Sequence, residues 1–167
     1  MYLKINTDIQ CINDRIGQNY LAGLVNNDIG VHFQNILQND IKDSNIFINN
    51  QRQRDKNNFH ITVINVMDFN KLKKEKSFSM YLLVNTLNEF NNFNVLGIGM
   101  AQKNDNIAYY VILENDDLNH IRQSLGLKKI DFHITLGFNY KDVHGISKGI
   151  KSKIIDIDKP LNFRKPI

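Results

Sequence analysis

Phe59-His60-Ile61-Thr62 recurs letter for letter as Phe132-His133-Ile134-Thr135, and both copies lie in the clearest strand segments of the chain. Phe59 to Val66 and Phe132 to Phe138 are rich in β-branched and aromatic residues, which predicts strands. Side chains alternate along a strand, so His60 and Thr62 turn to one face while Phe59, Ile61 and Val63 turn to the other. His133 and Thr135 stand in the same relation to Phe132, Ile134 and Leu136. Each strand therefore offers an apolar face to a core and a His–Thr face to something else. Two such strands side by side would line a cleft with two imidazoles and two hydroxyls.

That set of groups suits phosphodiester cleavage. A neutral imidazole can take the proton of an attacking hydroxyl or water, and a protonated one can supply a proton to the leaving oxygen. The two threonine hydroxyls can donate hydrogen bonds to the non-bridging phosphate oxygens. A lone histidine on a strand is more often a satisfied structural residue; the same pair on two amphipathic strands is what favours catalysis. A zinc site is the rival use of two histidines. It needs further ligands, and neither copy has a His-x-x-x-His or cysteine companion nearby. The expectation is chemistry without metal or cofactor.

Paired His-x-Thr motifs, the second continuing as Leu136-Gly137-Phe138, resemble the 2H phosphoesterase superfamily. That group includes RNA 2′,3′-cyclic phosphodiesterases, 2′-5′ oligoadenylate phosphodiesterases and phage enzymes that degrade cyclic oligonucleotide signals. The separation of the two histidines, from 60 to 133, suits one lobe-length between motifs. The resemblance implies an α+β fold with two pseudo-symmetric lobes, antiparallel sheets facing a central groove and helices outside. It also implies metal-independent hydrolysis of a nucleotide or RNA substrate. His60, Thr62, His133 and Thr135 would be the catalytic residues. Two other classes stay open: an RNA- or nucleotide-binding module that keeps the groove without turnover, and a metal-dependent hydrolase.

The 167 residues suit one domain spanning 1–167. An apolar fraction of 42% is ordinary for a globular chain. No run approaches the roughly 18 apolar residues of a membrane span, so no membrane partner is expected. The start, Met1-Tyr2-Leu3-Lys4-Ile5-Asn6, turns polar too soon for a signal-peptide core. Cys11 is the only cysteine, which excludes an internal disulfide and a cysteine-cluster zinc site and fits a reducing cytoplasm. A net charge of +4 and a pI of about 9.1 favour anionic partners. Nothing in the sequence calls for an obligate protein partner.

The remaining elements follow from periodicity and punctuation. Tyr2 to Ile5 reads as an opening strand, and Arg15 to Leu37 as an amphipathic helix split at Asn27-Asp28-Ile29-Gly30. Ile46-Phe47-Ile48 reads as a strand, and Asn49 to Asn58 as a loop whose Arg52, Arg54 and Lys56 could lean toward a phosphate. Lys71 to Lys76 is a charged linker and Phe78 to Phe90 a helix. Val95 to Ala101 and Ile107 to Leu113 form a hairpin. Asn115 or Asp116 caps a helix that Gly126 ends, and Ile154 to Ile157 is a last strand. This interspersed order places the chain in the α+β class.

Four further residues are candidate substrate contacts: Tyr110 and Tyr140 for stacking a base, Lys141 for steering phosphate, and His144 in a loop just past the second motif. Tyrosines on strands are more often packing, and Lys141, Lys148 and Lys151 each read more readily as solvated surface. Gly97 and Gly99 do not make a dinucleotide fingerprint, for want of a third glycine and a following helix.

Overall fold

In the computed structural model, which describes residues 2–157, both motif strands form as the alternation requires. They are β4 (Phe59–Ile64) and β7 (Phe132–Phe138), as numbered along the chain. Phe59, Ile61, Val63, Phe132, Ile134 and Leu136 are buried, while His60, Thr62, His133 and Thr135 are half-buried on the opposite faces.

Each motif strand is the last strand of its own antiparallel sheet. The first sheet runs β2 (Asp8–Asn13), β3 (Asn19–Val25), β4. The second runs β1 (Lys4–Asn6), β5 (Asn92–Lys103), β6 (Asn106–Glu114), β7, with β8 (Lys153–Ile155) also paired to β5. β4 and β7 approach each other without pairing, and the half-buried His–Thr faces of the two strands define the groove between the sheets. One hydrophobic cluster runs beneath both sheets and includes Ile9, Leu21, Phe59, Ile61, Phe93, Phe132 and Ile134. Residues 158–167 of the expected single domain lie outside the described part.

The helices cover the apolar faces and one strand edge. α1 (Asn27–Asp40) starts at Asn26, whose side chain accepts from the Asp28 amide at 2.8 Å. Gly30, expected to break a helix, lies inside α1. A β-carbon there would stand 2.2 Å from the Phe59 ring, so glycine lets the helix press on the back of the first motif strand. α3 (Val66–Lys73) takes up half of the expected charged linker. α4 (Met80–Asn88), the β5–β6 hairpin and α5 (Asp116–Ser124) agree with the sequence reading. Asn115 caps α5 through the Leu118 amide at 2.9 Å, and Gly126 follows with φ of 77°. No helix of the described residues is long and apolar enough to cross a membrane.

Three expectations need correction. Residues 19–25, read as helix, form β3; it is the central strand of its sheet, with Leu21, Ala22, Gly23 and Val25 all buried. Tyr20, Leu21, Ala22, Leu24 and Val25 put apolar residues on both of its faces, a near-continuous run that periodicity cannot tell from a helix. β2 went unread because Asp8–Asn13 lacks clean alternation. Ile46-Phe47-Ile48 and the expected loop after it as far as Asp55 belong to α2 (Asn45–Asp55). The buried face of α2 is built partly from amides. Gln34 of α1 donates to Gln51 at 2.8 Å and to the Leu136 carbonyl at 3.0 Å, and Asn50 donates to the Phe138 carbonyl at 2.9 Å. These side chains satisfy carbonyls along the free edge of β7, so α2 covers that edge. The last strand ends at Ile155 rather than Ile157.

Arg122 ties the second half of the fold to the first. Its side chain is 1% exposed and donates to the Val63 carbonyl at 2.8 Å, the Lys128 carbonyl at 2.9 Å and the Asp68 carboxylate at 2.7 Å. Arg122→Met keeps the stem but strands two backbone carbonyls. It is expected to lower unfolding free energy by about 2–4 kcal/mol, read from urea midpoints. A change within 0.5 kcal/mol would show that water replaces these bonds without penalty.

Candidate active site

His133 is fixed at both ring nitrogens. Nδ1 lies 3.0 Å from the Asp131 carbonyl, which can only accept, so Nδ1 carries the proton. Nε2 lies 3.4 Å from the Lys148 ammonium, which can only donate, so Nε2 presents its lone pair. Burial first, and the Lys148 charge second, push the imidazole down to a pKa of about 4. The ring also meets the Tyr110 ring edge-on, with centroids 5.8 Å apart. In the free protein at neutral pH, the His133 imidazole is neutral.

His60 lies across the groove, close enough for its charge to act on His133. Tyr20 of β3 packs edge-on against it, with its hydroxyl 3.5 Å from Nε2. Burial lowers the His60 pKa, but Asp55 and Asp142 pull it upward while Arg54 opposes them. Burial lowers both imidazoles; Lys148 is the next largest influence on His133 and Asp55 the next largest on His60, while Asp142 acts on both.

The hydroxyls also differ. Thr62 makes no side-chain hydrogen bond to any described residue. Thr135 donates to Asp142 at 3.1 Å. Asp142, on the segment after β7, is the hub of a charge network. Its carboxylate takes Arg54 at 2.8 Å and faces Lys148 at 3.6 Å, while Arg54 forms a two-pronged pair with Asp55. Burial would raise the Asp142 carboxyl, yet Lys148 and Arg54 together hold it at a pKa of about 2.

The four other candidates are placed differently. Tyr110 is 0% exposed and donates to the Ser152 hydroxyl at 2.8 Å, so no base can stack on it; its ring backs His133 and Lys148 instead. Tyr140 is 78% exposed and lines a pocket of about 440 Å³ with Arg15, Gln53, Arg54 and Phe138. Lys141 and His144 are exposed and make no hydrogen bond or ion pair with the described residues. Arg54 reaches the site from α2 rather than from a loop.

Sequence reading missed Asp142 and Asp131 and took Lys148 for surface, although it is 5% exposed. None of the three sits in a periodic pattern, and each looks alone like any charged loop residue. Only the pairing of Asp131 with Lys148 across the fold gives them away. Among the described residues, no group of three or more His, Cys, Asp or Glu side chains is arranged to hold a metal ion.

Residues 27–144 match the family model described as Swiss Army Knife, 2H phosphoesterase domain. No curated protein and no solved structure matches the chain. The matched span holds both His-x-Thr strands and most of the sequence, and it lies on an α+β fold whose two antiparallel sheets meet at the histidine groove; the chain belongs to the 2H phosphoesterase family.

Proposed function

We propose that this chain hydrolyses a phosphodiester of a nucleotide or RNA by acid–base catalysis between His133 and His60, without a metal. The observation that carries this reading is the state of His133. With the ring proton on Nδ1, Nε2 keeps its lone pair and turns it to the Lys148 ammonium. In the proposed step, Nε2 of His133 removes a proton from water and the resulting oxygen bonds to phosphorus. The bond from phosphorus to the leaving oxygen breaks, and that oxygen takes a proton from His60. His60 ends neutral and His133 protonated; exchange with solvent resets both. Thr62 and Thr135 donate to the non-bridging oxygens as negative charge builds there, Thr135 turning from Asp142 to do so.

The substrate classes that fit are a 2′,3′-cyclic phosphate, a 2′-5′ linkage or a small cyclic oligonucleotide. Tyr140 and Arg15, in the pocket that shares Arg54 with the Asp142 network, can take a flanking base and a second phosphate. An ammonium facing Nε2 of His133 disfavours a metal ion at that nitrogen, which supports metal-free chemistry. The test is incubation of the purified chain with these three substrate classes in EDTA, with products separated by chromatography. Turnover in EDTA is expected, with kcat/KM rising as pH climbs through about 4, where free His133 loses its proton. Activity that disappears in EDTA and returns with a divalent cation would sink the metal-free mechanism. Tight, salt-sensitive binding without product would point to a binding module instead.

A further inference from the structure

The segment between β7 and β8 has no strand or α-helix, yet one residue within it is fixed with unusual care. The Asp131 carboxylate accepts from the Ser147 hydroxyl and from the Lys148 amide, both at 2.9 Å. The Asp131 carbonyl meanwhile holds Nδ1 of His133. One residue therefore sets the position of both the base and the lysine.

The lysine arrives at the groove with bonding capacity left over. Its ammonium is 3.4 Å from His133 Nε2 and 3.6 Å from Asp142 Oδ1, and it sits 5.4 Å from the centre of the Tyr110 ring. Both polar separations exceed the 2.7–3.2 Å of a well-formed N–H···O bond. A lysine whose only task was to neutralise Asp142 would close on it as Arg54 does, at 2.8 Å. A buried cation that touches a base and stays loosely paired is arranged to accept another anion.

We propose that Lys148 is a further catalytic group of this site, beside the two histidines and two threonines. Its ammonium takes a non-bridging oxygen of the scissile phosphate, and before substrate arrives it keeps Nε2 of His133 unprotonated. This rests on the phosphodiesterase reading. The groups acting on His133 are Tyr110 from β6, His60 from β4, Asp131 before β7, and Asp142 and Lys148 after it. Lys148 is the cation that touches the ring nitrogen. Removing it makes His133 easier to protonate, so the acid limb of kcat/KM moves to higher pH.

The test uses the full chain with Lys148→Met and Lys148→Arg, folding being checked by circular dichroism, and bis(p-nitrophenyl) phosphate and 2′,3′-cyclic AMP as substrates. Lys148→Met is expected to lower plateau kcat/KM by about 100-fold, to weaken inhibition by inorganic phosphate, and to move the acid limb upward. Lys148→Arg is expected to restore the limb and part of the rate. A folded Lys148→Met chain with wild-type kcat/KM, phosphate inhibition and acid limb overturns the proposal. So does a folded Lys148→Arg chain no better than the Met variant with the limb unmoved. If the Met variant does not fold, the arginine variant and a titration of His133 by NMR in the wild-type chain decide. Inorganic phosphate should raise the pH at which His133 titrates, and no change overturns the proposal. Should His60→Ala and His133→Ala both leave hydrolysis intact, the phosphodiesterase reading itself fails; should they abolish it while Lys148→Met does not, only the lysine's role falls.

Discussion

His133→Ala is expected to lower kcat by about 1,000-fold on every phosphodiester the chain cleaves, whereas the loss in His60→Ala should depend on the leaving group. The asymmetry follows from the surroundings of the two rings. The Lys148 ammonium faces Nε2 of His133 and holds it as a lone pair, which is the state of a base. Burial and Arg54 lower the His60 pKa while Asp55 and Asp142 favour its proton, so in the proposed step the acid role falls to His60 because Lys148 bars His133 from it. An alkoxide leaving group, as in a ribose ester, needs that proton. A p-nitrophenolate departs without one. His60→Ala should therefore lose most of its activity on a ribose ester and little on bis(p-nitrophenyl) phosphate, while His133→Ala loses activity on both. Added imidazole should recover part of the His133→Ala rate by entering the vacated space. Steady-state rates for the two variants on the two substrate types decide the matter. Equal losses across leaving groups for His60→Ala would remove it from the acid role, and a wild-type rate in His133→Ala would remove the base.

Those two histidines were legible because strand alternation is a simple code. Four residues of identical sequence, twice, place His and Thr on one face and Phe and Ile on the other, and the burial of both strands follows that rule. The hairpin of β5 and β6 and the Asn115 cap of α5 were legible for similar local reasons. What stayed hidden was stabilised by partners remote in sequence. The α2 helix has a low apolar content and buries Gln51 against Gln34, so its inward face carries no hydrophobic period. The β3 strand carries apolar residues on both faces, with Tyr20, Ala22 and Leu24 opposite Leu21 and Val25, and so lacks alternation. Asp142 and Lys148 acquire their character only when Arg54, Thr135 and His133 are brought beside them, and those contacts cross up to 88 residues of chain. The placing of the two His–Thr pairs could thus be read from the motifs, whereas the charged groups around them depend on the fold.

Those charges should also appear in stability, as an acid loss in two steps. His133 has a folded-state pKa of about 4 against 6.5 for the free side chain. The unfolded chain therefore binds the proton first, and stability that is fully present above pH 6.5 falls as pH drops toward 4. That limb is worth roughly 3 kcal/mol, with His60, shifted the same way, adding to it. Asp142 is depressed to about 2 from 3.8. Its contribution is intact above 3.8 and is lost as pH falls through 2, roughly a further 2 kcal/mol. Urea midpoints at closely spaced pH values between 8 and 2 should show both limbs. His133→Gln should flatten the upper one and Asp142→Asn the lower, although the latter also weakens the hold on Arg54 and Thr135 at every pH. A wild-type chain equally stable at pH 7 and pH 4 would contradict the buried neutral state of His133. So would an upper limb that survives in His133→Gln. Inorganic phosphate supplies a further check, because an anion in the groove favours the protonated imidazole. Phosphate should then stabilise the chain more at pH 5 than at pH 7, so that the proton destabilising the empty site strengthens the occupied one.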